Sequence, residues 1–234
     1  MELKNKKVLI TGGSLGIGYA IAEALISEGA DVIITGRDKG RLESAAKKSG
    51  ALFLQADVSK EKDVDATYDF ILEKFGTLDI LINNAGIGKP AALENLSREK
   101  IMEVFDVNVI GAALTTAKFT PLFKEKKSGD IVNIASTAAL KGYKNGSIYV
   151  ASKFALRGMT ECWRAELRPF NIRVMLVNPS EVATAFGNSE RKERQAQPNK
   201  LRPKEIADAV SGILKLESRG FIPELSVWAT NPFD

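Results

Sequence analysis

The chain has 234 residues, 44% of them hydrophobic and 26% charged, proportions of an ordinary globular protein that exclude a disordered or fibrous design. Its 33 basic and 29 acidic residues leave a formal charge of +4 without a long single-sign block, which argues against a nucleic-acid surface. Histidine is absent, so Ser-His-Asp and Cys-His catalysis and every histidine-based metal site are excluded, and proton transfer falls to Tyr, Lys, Asp, Glu, Ser or water.

No apolar run reaches the roughly 18 to 20 residues that span a bilayer. The start, MELKNKKVLITGG, passes too soon into a glycine-broken strand to be a signal-peptide core, so a cytoplasmic protein without membrane contact is expected.

Short runs rich in Val and Ile alternate along the chain with amphipathic segments, the pattern of buried parallel strands joined by helices. The first run, KVLIT (7 to 11), leads into TGGSLGIG, Thr11 to Gly18, and then into GYAIAEALISEG, where Ile21, Ala24 and Leu25 share a face and Gly29 can end the helix. Glycines between a strand and a helix let the backbone approach a pyrophosphate, whose charge then rests on the helix N-terminus. Dinucleotide binding by Gly12, Ser14, Leu15, Gly16, Ile17 and Gly18 is therefore expected, with a plain turn as the alternative.

The second run, DVIIT (31 to 35), ends in GRD. A binder of the unphosphorylated cofactor places an acid about 20 residues after the glycine loop to accept from the ribose diol. Arg37 stands there instead, and a guanidinium can pair with a 2′-phosphate but cannot accept hydrogen bonds, so NADP is expected over NAD. Asp38 could still take the acidic role, or Arg37 could be a surface residue paired with Asp38 or Glu43. LFLQA (52 to 56) leads to ADVS, whose Asp57 and Val58 suit the adenine edge, although Asp57 could equally make an Asx turn or a helix cap. LDILIN (78 to 83) ends in NNAG, Asn83 to Gly86, where Asn84, Ala85 and Gly86 offer small side chains and amides to a cofactor or simply turn the chain.

After the fifth run, DIVNIA (130 to 135), the segment IYVASKFAL places Tyr149 and Lys153 one helical turn apart. They are either a coupled pair or a packing tyrosine beside a solvated lysine. Cys162, the only cysteine, lies beside Trp163 in the helical GMTECWRAEL and is expected to be buried as a small hydrophobe. IRVMLV (172 to 177) is the sixth strand. Residues 180 to 204 are polar and basic, with Arg191, Lys192, Arg194, Lys200 and Arg202, and read as a substrate lid or a solvated loop. PKEIADAVSGILKLE is the last helix, and GFIPELSVW a seventh strand at the sheet edge, where Pro223 is tolerated. The expected fold is a single α/β domain over residues 1 to 234: a Rossmann-type doubly wound sheet of about seven mostly parallel strands with helices on both faces.

Taken together, the spacing of Gly12 and Gly16 in the Thr11 to Gly18 loop, the NNAG turn and the Tyr149/Lys153 pair resemble the short-chain dehydrogenase/reductase family, from about Val8 to Thr184. The resemblance implies a catalytic tetrad, with Asn108 in DVNVIG on the long helix after the fourth strand and Ser136 in VNIAST thirteen residues before Tyr149, completed by Tyr149 and Lys153. It further implies that Ser136 donates to the substrate carbonyl, that Asn108 holds a water linking Lys153 to solvent, and that Tyr149 and Lys153 also touch the nicotinamide ribose. A tyrosine with an ordinary pKa near 10 would need lowering by roughly three units, about 4 kcal/mol, to work near neutrality, and a nearby ammonium and oxidised nicotinamide can supply energies of that order. NPSEVATAF resembles the segment that meets the nicotinamide amide, with Pro179, Val182 and Thr184 in place and Ser180 where the family has glycine. The ending PELSVWATNPFD departs from the family's usual C-terminus.

The implied function is NADP-dependent hydride transfer between nicotinamide and a small carbonyl or alcohol substrate, as a carbonyl or 3-oxoacyl reductase, with a carrier-bound acyl thioester among the candidates. The implied assembly is a homodimer or homotetramer, and no metal is expected. The alternatives are an NAD-dependent alcohol dehydrogenase and a dinucleotide-sensing regulatory protein without turnover.

Overall fold

A computed structural model describes residues 2–188, 194–195, 197 and 199–231. Seven strands, β1 (Lys7–Thr11), β2 (Asp31–Gly36), β3 (Leu52–Gln55), β4 (Ile80–Asn83), β5 (Gly129–Ile134), β6 (Ile172–Pro179) and β7 (Glu224–Val227), form one sheet in the order β3-β2-β1-β4-β5-β6-β7. Every pairing is parallel, that of the edge strand β7 on β6 included, where the sequence implied a mostly parallel sheet. Pro223 stands just before β7, and its carbonyl accepts from the Leu176 amide at 3.0 Å. A proline without an N–H thus costs the sheet nothing at that point.

Successive strand residues supply opposite faces, which is why the runs are apolar throughout. Val8 and Ile10 of β1 pack with helices α1 (Gly16–Ser27), α2 (Lys39–Ser49) and α7 (Pro203–Leu214) through Ile21, Leu25, Leu42 and Ile206. Leu9, between them, faces α3 (Glu61–Phe75), α5 (Ala112–Lys126) and α6 (Ser147–Leu167) through Ile71, Phe119, Phe123 and Leu167. The long helix expected after β4 is interrupted: α4 (Arg98–Phe105) passes through a π-helical turn, Asp106–Gly111, before α5 begins.

Cys162 is exposed, contrary to expectation. The buried stripe of α6 runs through Ile148, Ser152, Leu156 and Thr160 at four-residue intervals, and Cys162, two positions past Thr160, falls on the opposite side.

At the lower end of the sheet, Arg173 of β6 grips Asp130 of β5 with two bonds, Nε to Oδ1 at 2.5 Å and Nη2 to Oδ2 at 2.8 Å, and also donates to the carbonyls of Leu214, the last residue of α7, and of Leu216 just past it. A buried Asn83–Asn133–Thr160 chain, with bonds of 2.8 Å, ties β4 and β5 to α6, and Asn83 also donates to Thr116 of α5.

The chain travels outward through β1, β2 and β3 and then crosses back to β4 on the other side of β1, so the two strands diverge at their C-terminal ends. The Thr11 hydroxyl holds that seam. Its oxygen accepts from the amides of Asn84 and Ala85, each at 3.1 Å, while the Asn84 side-chain amide donates to the carbonyls of Thr11 (3.0 Å) and Gly12 (2.9 Å). The approach is close enough to require glycine: Gly12 has φ +68°, a Cβ on it would lie 2.9 Å from the Ala85 Cα, and one on Gly18 would lie 2.4 Å from the Asn84 amide nitrogen. Replacing Thr11 by the isosteric valine strands two half-buried amides and should cost ~1–3 kcal/mol in urea denaturation; an unchanged midpoint would remove this hydroxyl from the seam's account.

Candidate functional site

The diverging strand ends open a cleft of about 260 Å³ at the β1/β4 switch point. Its floor and walls include Gly12, Ser14, Leu15, Gly16 and Ile17 from the glycine loop, Arg37 after β2, and Asn84, Ala85 and Gly86 after β4. Ser136, Tyr149 and Lys153 line it from the β5 and α6 side, and Pro179, Val182 and Thr184 from the segment after β6.

Four expected residues lie elsewhere. Gly18 is packed under the Asn84 side chain. Asp57 uses its carboxylate to accept from Ser59, at 3.1 Å from the amide and 2.8 Å from the hydroxyl, which is the Asx-turn alternative. Val58 rests against Gly111 in the π-helical turn. Asn108, 1% exposed, lies behind the cleft.

The Asn108 side chain is a clamp. Its Oδ1 accepts from the Ile87 amide at 2.8 Å, and its Nδ2 donates to the Ile87 carbonyl at 2.9 Å and to the Ser152 hydroxyl at 3.0 Å. Ser152 in turn donates to the Tyr149 carbonyl at 2.7 Å. The loop after β4 is thereby fastened to the turn of α6 that carries Tyr149 and Lys153.

Ser136 lies two residues past β5 and caps the short 3-10 turn Thr137–Ala139, its oxygen accepting from the Ala138 amide at 3.1 Å. Its hydroxyl faces the same cleft as the Tyr149 phenol and acts on that phenol's ionisation. Burial pushes that phenol up to about 12; Ser136 pulls it down in part, and nearby Tyr143 adds to the rise. Lys153, 3% exposed, donates from Nζ to the Ile134 carbonyl at 2.9 Å and lies 5.7 Å from the centre of the Tyr149 ring. Burial pushes its ammonium down to about 8. The lowering of Tyr149 by Lys153 that the resemblance implies is therefore not a property of the bare site: desolvation opposes both charged forms.

At the other end of the cleft, Asp38 is the N-cap of α2, accepting from the Arg41 amide at 2.9 Å and pairing with the Arg41 Nε at 3.3 Å. Arg41 lines the cleft beside Arg37 and escaped the sequence reading. The signal for it was present, because the first turn of a helix capped at Asp38 brings residue 41 back beside the end of β2. Phe186 was likewise missed: it lines the cleft, and its ring lies 5.4 Å from that of Tyr149.

The residues present fit a dinucleotide. Leu15 provides no side-chain cap for α1, so the first amides of that helix open into the cleft without a side-chain acceptor, where a diphosphate can take them.

The segment after β6 is pinned at both ends by a bridge between Val182 and Leu201, with the Ala183 amide donating to the Leu201 carbonyl at 2.8 Å. Of its basic residues, Lys200 and Arg194 pair with Glu181, at 2.8 and 3.5 Å, and Arg202 pairs with Glu205 at 2.9 Å. Arg191 and Lys192 lie outside the described residues. Among the described residues there is no cluster suited to a metal ion, and no helix long and apolar enough to cross a membrane.

A doubly wound sheet with a glycine loop at its switch point and a Ser, Tyr and Lys set at the cleft defines a nucleotide-dependent oxidoreductase class, and comparison with known proteins places the chain within it. The short chain dehydrogenase family profile matches residues 6–195. An uncharacterised oxidoreductase of Staphylococcus saprophyticus is 34% identical over 97% of this chain and 98% of its own. Among solved structures, the 3-ketoacyl-(acyl-carrier-protein) reductase of Brucella melitensis, complexed with NADH, is 34% identical with a TM-score of 0.89, covering 99% of this chain and 100% of its own. An alcohol dehydrogenase of the archaeon Thermococcus sibiricus, complexed with 5-hydroxy-NADP, is 32% identical with a TM-score of 0.88, covering 97% of each. This chain belongs to the short-chain dehydrogenase/reductase family of oxidoreductases.

The buried lysine has a measurable cost. Below about pH 8 folded and unfolded chains both carry the Lys153 ammonium, and the fold bears its full desolvation; between about 8 and the ordinary 10.5 the unfolded chain keeps a proton that the folded one has lost, so stability rises with pH. Lys153→Met is expected to stabilise the cofactor-free protein at pH 7 by ~2 kcal/mol, the desolvation relieved less the hydrogen bond lost. Urea titrations at pH 7 and 10 should show that advantage shrinking; a constant difference would contradict it.

Proposed function

We propose that this chain is an NADP-dependent carbonyl reductase in which Tyr149 is the proton donor. The observation that carries the reading is the convergence of Ser136, Tyr149 and Lys153 on the cleft that the glycine loop opens, with the Lys153 Nζ 5.7 Å from the centre of the Tyr149 ring. A neutral phenol at that place can yield its proton to an alkoxide, a much stronger base, which is the proton that carbonyl reduction requires.

The bound dihydronicotinamide would supply hydride to the carbonyl carbon. The α1 amides and glycine loop would hold the diphosphate, and Lys153, next to Gly86, would hold the nicotinamide ribose. Ser136 donates its hydroxyl hydrogen to the substrate oxygen, charge develops there as the carbonyl is reduced, and Tyr149 delivers the proton that neutralises it.

NADP is favoured by two arginines, Arg37 and Arg41, that line the β2 end of the cleft, with the Ser14 hydroxyl between the glycine loop and Gly36 as a further donor. An NAD-linked alcohol dehydrogenase would need Asp38 free to accept from the ribose diol, and its carboxylate is engaged by Arg41.

Consumption of NADPH and NADH over a panel of ketones, aldehydes and 3-oxoacyl thioesters tests both claims. Tyr149→Phe should lower kcat by 10²- to 10⁴-fold; full turnover by this variant would falsify the proton-donor role. Arg37→Asp should shift the NADPH-to-NADH ratio of kcat/KM toward NADH by about 10- to 100-fold, the worth of a charge-assisted contact, and an unchanged ratio would take the 2′-phosphate away from Arg37.

A further inference from the structure

Phe186 is presented by a short fixed turn: its amide donates to the Thr184 hydroxyl at 3.2 Å, the Asn188 amide donates to the Ala185 carbonyl at 3.2 Å, and Gly187 between them has φ +77°. One side of the ring is pressed onto Gly88. A Cβ at position 88 would lie 3.0 and 3.1 Å from the Phe186 Cε1 and Cζ, and 3.7 Å from the Tyr149 Cδ2. The missing side chain of Gly88 is thus what seats the Phe186 ring beside the ring of Tyr149, at 5.4 Å and tilted by 55°.

The ring is 36% exposed and lines the cleft, so part of its surface is left to meet a ligand. A second aromatic group is close by: Tyr143, over half exposed, packs on Gly146 at the start of α6 and is near enough to be felt by the Tyr149 phenol. Charged groups lining the cleft among the described residues are Arg37, Asp38 and Arg41 at the β2 end, and Lys153 beside Tyr149. None of them stands on the Phe186 turn.

We infer that the carbonyl site selects substrates with a flat unsaturated ring next to the carbonyl, and that Phe186, seated on Gly88, is the residue that selects them. This rests on the reductase reading above. An aryl group can place its edge or face against the Phe186 quadrupole, an interaction beyond area burial that a saturated ring of the same size cannot make; it is worth about 2- to 10-fold in affinity.

The experiment separates selection from turnover. Binding of benzamide and cyclohexanecarboxamide is measured by ligand-observed NMR with NADP⁺ present, and kcat/KM with NADPH is measured for acetophenone and cyclohexyl methyl ketone. The expected result is an aryl preference of about 3- to 10-fold in both that falls toward unity in Phe186→Leu. Gly88→Val, which pushes the ring off its seat while leaving it in the chain, should reduce the same preference and serves if Phe186→Leu does not fold. An aryl preference absent from the wild type, or unmoved by both variants, overturns the inference while ketone turnover leaves the reductase reading standing. Selective benzamide binding that both variants abolish, with no ketone reduced, upholds the aromatic site and overturns the reductase reading.

Discussion

The seam between β1 and β4 is the constraint on which the site depends. Two neighbouring parallel strands whose connections leave in opposite directions open a gap at their ends, and an open gap exposes main-chain groups that need partners. Thr11 and Asn84 supply those partners from inside, so the gap becomes a shaped cleft with a helix N-terminus on one side. The glycines follow from this closure as much as from any ligand: Gly12 and Gly18 are where the Asn84 turn comes closest, and a methyl group at either would push the two loops apart. The motif that a sequence reader takes as a phosphate loop is also a packing solution.

This double duty explains what could be read in advance. The strands and their order along the chain were legible because burial on both faces leaves unbroken Val and Ile runs, and Gly12, Gly16, Tyr149 and Lys153 stood out by spacing. The π-helical turn around Asn108 was not legible, since a helical hydrophobic pattern does not register one inserted residue. Cys162 was misplaced because hydrophobicity gives a preference for burial, whereas its angle on α6 decides the outcome. Arg41 and Phe186 belong to the cleft only through the path of the backbone, and Asp57 went to its own turn because a short carboxylate finds the nearest amides first.

Burial sets the electrostatics of the site before any ligand arrives. Tyr149 is held neutral and Lys153 is brought within reach of losing its proton, so the bare cleft stores its free energy in desolvation rather than in an ion pair. Rigidity meets that cost from several directions: the Asn108 clamp, the Asn83–Asn133–Thr160 chain behind α6, and the Asp130–Arg173 grip at the far end of the sheet.

The bridge between Val182 and Leu201 has an evolutionary consequence. Because Val182 and Leu201 meet at one point, residues added between them add chiefly the closure entropy of a loop, about 0.6 kcal/mol for a doubling of its length. Insertions there can accumulate without disturbing strand register or the seam. Such a chain can exchange one substrate preference for another by redrafting a single surface loop, while the machinery that handles the proton is inherited unaltered.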